Sequence, residues 1–214
     1  MGAQRPTKQL NSLKTYSLIT YKEGFMQILA FNGSPRPKGN TSAIVASMLE
    51  GARSRGAETS EIRLHDINFK GCLGCLGCRK NPGFCSAKDE LSPYLEAIKT
   101  CTGMIIGCPI YMYRISGQMK LFVDRIYSLY ANLPQGGYKS MVPPGKTYAL
   151  ITSQGAPDAA QYTRSIGYLA GMTGTGLGMD MVGKVIHTES ADQPAAGNRD
   201  VLERAFDIGR KMVR

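Results

Sequence analysis

The stretch that decides the fold is Met26-Gln27-Ile28-Leu29-Ala30-Phe31, followed at once by Asn32-Gly33-Ser34-Pro35-Arg36-Pro37-Lys38-Gly39-Asn40-Thr41-Ser42. A short apolar run passes into a loop rich in Gly, Ser and Thr, and the loop opens an amphipathic helix. Such a loop offers backbone N–H groups and hydroxyls to an anion at the positive end of the helix dipole. We therefore predict a monophosphate site after the first strand. The loop is neither a Walker A loop nor a G-x-G-x-x-G fingerprint, and an ordinary turn with Asn40 or Thr41 as N-cap is the alternative.

Outward from this unit, short apolar runs alternate with longer amphipathic ones, which is typical of βαβ units and a parallel sheet. The pattern predicts strands over 26–31, 58–64, 103–108, 147–152 and 181–187. It predicts helices over 41–55, 91–99, 115–130, 159–171 and 199–213. We therefore expect an α/β fold, a doubly wound five-stranded parallel sheet of flavodoxin-like order 2-1-3-4-5 in a three-layer α/β/α sandwich.

The length and charge of the chain limit the kinds of protein that it can be. The chain has 214 residues and a formal net charge of +10, enough for one domain with a large core. No apolar stretch approaches the roughly 18–20 residues that span a bilayer, and the positive charges are scattered rather than clustered. We expect a cytoplasmic protein that binds neither membrane nor nucleic acid.

The first 25 residues are polar and basic and have no clear period. We expect an N-terminal extension over 1–25 and a domain over 26–214. An upstream start codon explains the extension, and an arm that reaches a neighbouring subunit is the alternative.

Four cysteines lie within fourteen residues, in a cysteine-rich insert near 71–88 between the second strand and the helix that leads into the third. Their spacing, C-x2-C-x2-C-x6-C, is typical of ligands to a [4Fe–4S] cluster, and they are Cys72, Cys75, Cys78 and Cys85. Metal-free thiols, a zinc site and disulfides stay open as alternatives. Cys101 and Cys108 lie in or beside an apolar run, so we predict that they pack in the core.

The sequence contains no pattern of side chains that would carry out acid–base or nucleophilic catalysis. The chain has two histidines, His65 and His187, and neither belongs to a triad or a metal-ligand pattern, so the reactive work falls to cofactors. The Gly-rich stretch 171–178 follows a helix and precedes a strand, the wrong order for a phosphate loop. We predict a flexible turn there.

Three motifs in order carry a family resemblance. GSPRPKGNTS (33–42) follows the first strand, CLGCLGC (72–78) the second and CPIYMYRISGQMKLFVDRIYSL (108–129) the third. Together they resemble the iron–sulfur flavoproteins, which belong to the wider NAD(P)H-dependent FMN reductase group of flavodoxin-like proteins. The resemblance covers residues 26–152. The rest of the chain resembles the family only in its pattern of apolar and polar residues.

The resemblance implies a set of cofactor contacts. It implies that the FMN phosphate is held by Ser34, Arg36, Asn40, Thr41 and Ser42. It implies that the isoalloxazine ring lies beside Pro109, Ile110, Tyr111, Met112 and Tyr113. Contacts at the pyrimidine end are expected from Ser153, Gln154 and Gly155, and the cluster from the four cysteines. We predict structural or dimer-forming roles for Lys120, Asp124 and Arg125, since charge pairs at i,i+4 need no catalytic role.

The implied function is a flavin-dependent oxidoreductase that passes electrons between FMN and a [4Fe–4S] cluster. NAD(P)H or a redox partner protein is the expected donor, and a homo-dimer or homo-tetramer is expected to bring cluster and flavin together. Two alternatives stay open. One is a cluster-free NAD(P)H-dependent FMN or quinone reductase, and the other is a non-enzymatic protein that binds an anionic partner through its charge.

Overall fold

The computed structural model describes residues 26–213, and the predicted extension over 1–25 lies outside them. The strands are β1 (Gln27–Asn32), β2 (Glu58–Arg63), β3 (Gly103–Tyr111), β4 (Arg114–Ile115), β5 (Tyr130–Asn132), β6 (Tyr138–Ser140), β7 (Thr147–Ser153) and β8 (Asp180–His187). Five of them form a parallel sheet in the order β2-β1-β3-β7-β8. This order confirms the predicted 2-1-3-4-5 arrangement and the three-layer α/β/α fold.

The helices are α1 (Asn40–Arg53), α2 (Gly77–Lys80), α3 (Ser92–Thr100), α4 (Gly117–Ile126), α5 (Thr163–Gly171) and α6 (Arg199–Lys211). The helix predicted over 115–130 is shorter at both ends. Ile115 belongs to β4, which pairs back on β3, and the 3-10 turn Tyr127–Leu129 leads into β5. The short hairpin of β5 and β6 was not predicted, because each strand has only three residues.

The predicted flexible turn over 171–178 is instead a π-helical turn, Met172–Gly176, that continues α5. Thr173 is fully buried there, and its hydroxyl donates to the Leu169 carbonyl over 2.9 Å. The helix itself begins at Thr163 rather than at residue 159. A wider helical turn, rather than a loop, therefore links α5 to the last strand.

Two apolar cores cover the two faces of the sheet. Alternate residues of β1 point to opposite faces, with Phe31 on one and Ile28 on the other. On the first face, α3, α4 and α5 contribute, and Phe31 stacks on Phe122 of α4 with ring centroids 4.3 Å apart. On the second face, α1 and α6 pack so closely that a Cβ on Gly209 would lie 1.9 Å from the Met48 carbonyl oxygen.

The topology positions the predicted site loops together. β1, β3 and β7 are neighbours in the sheet and run parallel, so the loops that follow them leave the same edge. The cysteine-rich segment follows β2, the next strand outward. None of the helices in residues 26–213 combines the length and apolar character needed to cross a membrane.

Candidate cofactor site

A buried asparagine shapes the loop after β1. Asn32 is fully buried, and its side-chain N–H groups donate to Ser42 Oγ over 3.0 Å and to Glu61 Oε1 over 2.7 Å. Its side-chain oxygen accepts the Ser34 N–H over 2.9 Å. This role of Asn32 was not predicted, although an asparagine at the end of an apolar strand is a signal that is visible in the sequence. Asn32 therefore fixes the start of the loop to the start of α1.

The loop gathers hydroxyls around the first turn of α1. Ser34, Thr41 and Ser42 are all buried, whereas Arg36 and Lys38 are exposed at the loop tip. The first hydrogen bond of the helix runs from the Ala43 N–H to the Gly39 carbonyl. The N–H groups of residues 40–42 consequently have no partner within the helix. Unpaired N–H groups, hydroxyls and the helix dipole suit a phosphate monoester.

Asn40, one of the residues predicted to hold the FMN phosphate, has a side chain that bonds within the protein. Its side-chain N–H donates to the Ser190 carbonyl over 2.6 Å, and its side-chain oxygen accepts the Ala195 N–H over 2.8 Å. Both ends of the amide thus hold the segment between β8 and α6 against α1. The backbone N–H of Asn40 remains among the first N–H groups of α1 that have no partner within the helix.

The predicted ring-contact segment is a tight hairpin. β3 pairs with β4, with Ile110 opposite Ile115 and Tyr111 opposite Arg114, and Met112 and Tyr113 form the turn. Both turn residues have positive φ, 44° for Met112 and 68° for Tyr113, as a type I′ turn requires. Non-glycine residues rarely adopt this conformation, and such strain is concentrated at functional sites. Met112 is 89% exposed, so the hairpin presents an apolar tip.

The strained hairpin is held from α5. Ser165 Oγ donates to the Tyr113 carbonyl over 3.0 Å. The Tyr113 ring meets the Tyr162 ring edge-on, with centroids 5.8 Å apart. Pro109, at the other end of the segment, is buried. The hairpin therefore has a fixed base and an exposed aromatic and thioether tip.

The end of β7 contacts the first turn of α1 directly. Ser153 Oγ lies 2.7 Å from Thr41 Oγ1. Gln154 is 1% exposed, and its side-chain N–H groups donate to the carbonyls of Ala156 and Asp158. The side-chain oxygen of Gln154 has no hydrogen-bond partner among the described residues. A Cβ built on Gly155 meets no atom within 4 Å, so the space in front of this loop is open to a ligand.

Ser116, which was not predicted as a site residue, connects the hairpin to the loop after β1. Its hydroxyl donates to the Gly33 carbonyl over 2.8 Å and accepts the Met119 N–H over 3.3 Å, which caps α4. Its backbone N–H points to Cys108 Sγ at 3.3 Å. A serine directly before a helical pattern is a recognisable N-cap. The same residue therefore ends the hairpin and supports the loop after β1.

The four predicted cluster ligands border one cavity of about 120 Å³. Cys72 and Cys75 are exposed, whereas Cys78 and Cys85 are half-buried. Burial, and then the charges of Cys85, Cys72 and Cys75, raise the pKa of Cys78. Leu76, between the second and third thiols, has a φ of 56°, a strained conformation for this residue. The segment therefore turns its sulfurs toward a shared space.

Within residues 26–213, no group of three or more His, Cys, Asp or Glu side chains is placed to hold a metal ion. The donor set itself matches a cubane cluster, which takes four thiolates. Each iron of such a cluster binds one thiolate, so its four ligands surround a volume rather than meet at one ion. Four thiols around one cavity fit that chemistry.

The two remaining cysteines are core residues, as predicted. Cys101 and Cys108 are fully buried, and burial raises the pKa of each thiol to about 11. Neither borders the cavity of the cysteine-rich segment. They are packing residues, not ligands.

Arg125 of α4 lies against the cysteine-rich segment and is 1% exposed. Its Nε donates to Cys85 Sγ over 3.1 Å, and its terminal nitrogens lie 2.7 Å and 3.2 Å from the two Asp89 carboxylate oxygens. Burial disfavours both charges, but the hydrogen bonds and charges around them prevail. Asp89 and Cys85 raise the pKa of Arg125, and Arg125, the Lys70 N–H and Ser92 lower the pKa of Asp89. Lys120 and Asp124 form the expected exposed i,i+4 ion pair at 2.6 Å.

Solved structures share this architecture. The fold superposes with a TM-score of 0.69 on NAD(P)H:quinone oxidoreductase from Methanothermobacter marburgensis, at 16% identity, over 89% of this chain and 98% of that one. Azoreductase from Bacillus anthracis gives a TM-score of 0.67 at 18% identity, over 87% of this chain and 100% of that one. At these identities the likeness shows a flavodoxin-like fold.

Comparison of the amino-acid sequence identifies the protein family. Residues 26–180 match the family model for NADPH-dependent FMN reductase, and the chain belongs to that family. Within it, the chain is 37% identical over 100 residues to an iron–sulfur flavoprotein of Methanocaldococcus jannaschii, covering 47% of this chain and 51% of that protein. An iron–sulfur flavoprotein of Archaeoglobus fulgidus is also 37% identical over 100 residues, 47% of this chain and 48% of that protein. The matched part thus spans about half the length of these relatives.

Proposed function

We propose that this protein is an FMN-dependent oxidoreductase that passes electrons between FMN and a [4Fe–4S] cluster. When bound, FMN exchanges electrons singly or in pairs, and a [4Fe–4S] cluster passes them singly. The observation that carries the proposal is the pairing of two sites in one fold. Three loops gather at the sheet edge, and four thiols border a separate cavity.

The phosphate of FMN is proposed to lie in the loop after β1. The free N–H groups at the start of α1 and the hydroxyls of Ser34, Thr41 and Ser42 would hold it, with Arg36 supplying charge. The Met112–Tyr113 hairpin and the loop at 153–155 would bind and orient the ring. The unpaired oxygen of Gln154 is an acceptor for a ring N–H.

Cys72, Cys75, Cys78 and Cys85 are the proposed cluster ligands. Support comes from their spacing, from the cavity they border and from the names of the relatives that share this half of the chain. NAD(P)H or a redox protein is the proposed electron donor.

We also propose that subunits assemble as a homo-dimer or homo-tetramer. Leu73, Leu76 and Phe84 are exposed beside the thiols, and exposed apolar side chains that lie together often mark a protein interface. Such an interface would cover the cysteine-rich segment and bring it near a flavin of the neighbouring subunit.

A cluster-free NAD(P)H-dependent FMN or quinone reductase is the second candidate. It is supported by the match of residues 26–180 to the family model for NADPH-dependent FMN reductase. In that case the four cysteines act as thiols.

Anaerobic purification separates the two. Iron, acid-labile sulfide and flavin are measured per chain, together with the EPR spectrum after reduction. We expect one FMN and about four irons and four sulfides per chain. Cys75→Ser should lose the iron and keep the FMN, whereas Cys101→Ala, at a buried cysteine outside the cavity, should keep both. FMN without iron in the parent protein would establish the second candidate, and no FMN would overturn both.

A further inference from the structure

We propose that Arg125 is a positioning residue for the cysteine-rich segment and that its charge sets the reduction potential of the cluster held there. This proposal rests on the proposed function. Lys70 precedes the first of the four cysteines, and Ala87 follows the last. The Arg125 side chain contacts both residues.

The guanidinium of Arg125 ties the two ends of the segment together. One terminal nitrogen donates to the Lys70 carbonyl over 2.8 Å, before the first cysteine. The other reaches the Ala87 carbonyl at 3.4 Å, after the last cysteine. The Asp89 carboxylate completes the fork and itself accepts the Lys70 N–H over 3.3 Å. A planar fork with five donors makes these contacts at once, which a lysine does not.

The same guanidinium places a fixed positive charge at a ligand. Its Nε donates to Cys85 Sγ over 3.1 Å, and Arg125 itself borders the cavity of the four thiols. Arg125 is 1% exposed, so water screens this charge far less than it screens a surface residue. Hydrogen bonds to sulfur and nearby charge are established determinants of iron–sulfur potentials.

The charge of Arg125 shifts the potential of a bound cluster in a definite direction. A reduced cluster carries one more negative charge than an oxidised one, so a nearby cation stabilises the reduced form and raises the potential. Arg125→Gln should therefore lower the midpoint potential. Asp89→Asn removes a compensating negative charge and should raise it. A purely structural role gives no reason for opposite shifts.

The test measures the midpoint potential of the anaerobically purified holoprotein by EPR-monitored titration. Arg125→Gln, Arg125→Lys and Asp89→Asn are compared with Arg204→Gln, the same kind of substitution at an exposed site on α6, across the sheet. We expect a negative shift for Arg125→Gln, a positive shift for Asp89→Asn and no shift for Arg204→Gln. Arg125→Lys keeps the charge and should restore most of the potential. Shifts of the same sign at Arg125 and Asp89 would overturn the electrostatic part.

Positioning is tested without the cluster. Amide hydrogen exchange across residues 70–89 is measured in the FMN-loaded, iron-free protein. We expect at least about tenfold faster exchange in Arg125→Gln, because removing one partner of a buried ion pair is strongly destabilising. Arg204→Gln should exchange like the parent. Unchanged exchange in Arg125→Gln would overturn the positioning role. Because this readout needs no iron, it remains decisive if the parent protein proves to lack a cluster.

Discussion

Thr41 Oγ1 lies 2.7 Å from Ser153 Oγ, and both residues are buried. The two hydroxyls are 112 positions apart in the chain. One belongs to the first turn of α1 and the other ends β7, two elements that meet at the edge where the candidate flavin loops gather. This contact makes the loop after β1 and the loop after β7 parts of one site.

Replacing Thr41 by valine should weaken FMN binding about tenfold or more. The substitution keeps the shape of the side chain and removes a donor to a charged phosphate, and such hydrogen bonds contribute about 1.5–3 kcal/mol. The dissociation constant is measured by quenching of flavin fluorescence. Ser47→Ala is the matched control, since Ser47 also lies on α1 but donates to the Leu202 carbonyl over 2.7 Å. Equal affinity in Thr41→Val and the parent would remove Thr41 from the phosphate site.

Replacing Met112 by glycine should make the protein more stable and weaken its binding of FMN. Its φ of 44° is unfavourable for any residue with a Cβ, so Met112→Gly should raise the free energy of unfolding of the FMN-free protein by about 0.5–1 kcal/mol. FMN affinity should fall, because the exposed side chain no longer covers the ring. Met112→Ala retains the strain and should lower affinity without the gain in stability. Urea titration and flavin fluorescence check both quantities, and a stability gain in Met112→Ala would argue against strain.

His187 should make stability fall in mild acid. It is buried at the end of β8, and its Nε2 has no hydrogen-bond partner among the described residues. Burial lowers its pKa below the ordinary value, so the unfolded chain binds the proton first. Stability is therefore retained above about pH 6.5 and is lost as the pH falls below it, by at most about 1.4 kcal/mol per pH unit.

The comparison for His187 uses urea unfolding at pH 7.5 and at pH 5.0. His187→Gln should show a smaller loss on acidification than the parent protein. His65→Gln should behave as the parent, because His65 is exposed. An unchanged acid loss in His187→Gln would assign the effect to other groups.

Gly209→Ala should destabilise the protein by about 1–3 kcal/mol or more. The added Cβ would lie 1.9 Å from the Met48 carbonyl oxygen, and backbone atoms of α1 yield little. Gly167→Ala is the matched control in α5, where a Cβ meets nothing within 4 Å. That variant should gain up to about 1 kcal/mol from helix propensity. Chemical unfolding distinguishes the two, and equal effects would show that α1 and α6 pack less closely.

Much of the fold could be predicted from local sequence. The five main strands lie within three residues of their predicted ends. For β1, β3 and β7 the reason is that buried parallel strands are short, nearly continuous apolar runs, whereas β2 and β8 at the sheet edges are more exposed. The end of β3 was placed too early, at residue 108 instead of Tyr111. Pro109 still pairs with Ser153 of β7, and Ile110 and Tyr111 pair with β4, which a strained two-residue turn brings back onto β3.

Part of the candidate site could also be predicted, because some of its features are local patterns in the sequence. The hydroxyls of the loop after β1 and the cysteine spacing are local patterns, and they were found. Asn32, Ser116 and Arg125 were not assigned their roles, since each acts through partners distant in the chain or through burial. Asn40 shows the converse, because its amide is bonded across 150 residues to the segment after β8.

The sequence by itself determined the alternation of strands and helices, the hydroxyl-rich loop after β1 and the set of four thiols, because these depend on apolar periodicity and on residues adjacent in the chain. Only the tertiary structure decided how they are joined. It placed Thr41 beside Ser153 and held the strained Met112–Tyr113 turn against α5. It also buried Arg125 between Asp89 and Cys85. These relationships depend on which strands are neighbours and on how much solvent the helices exclude, and neither quantity is encoded by spacing along the chain.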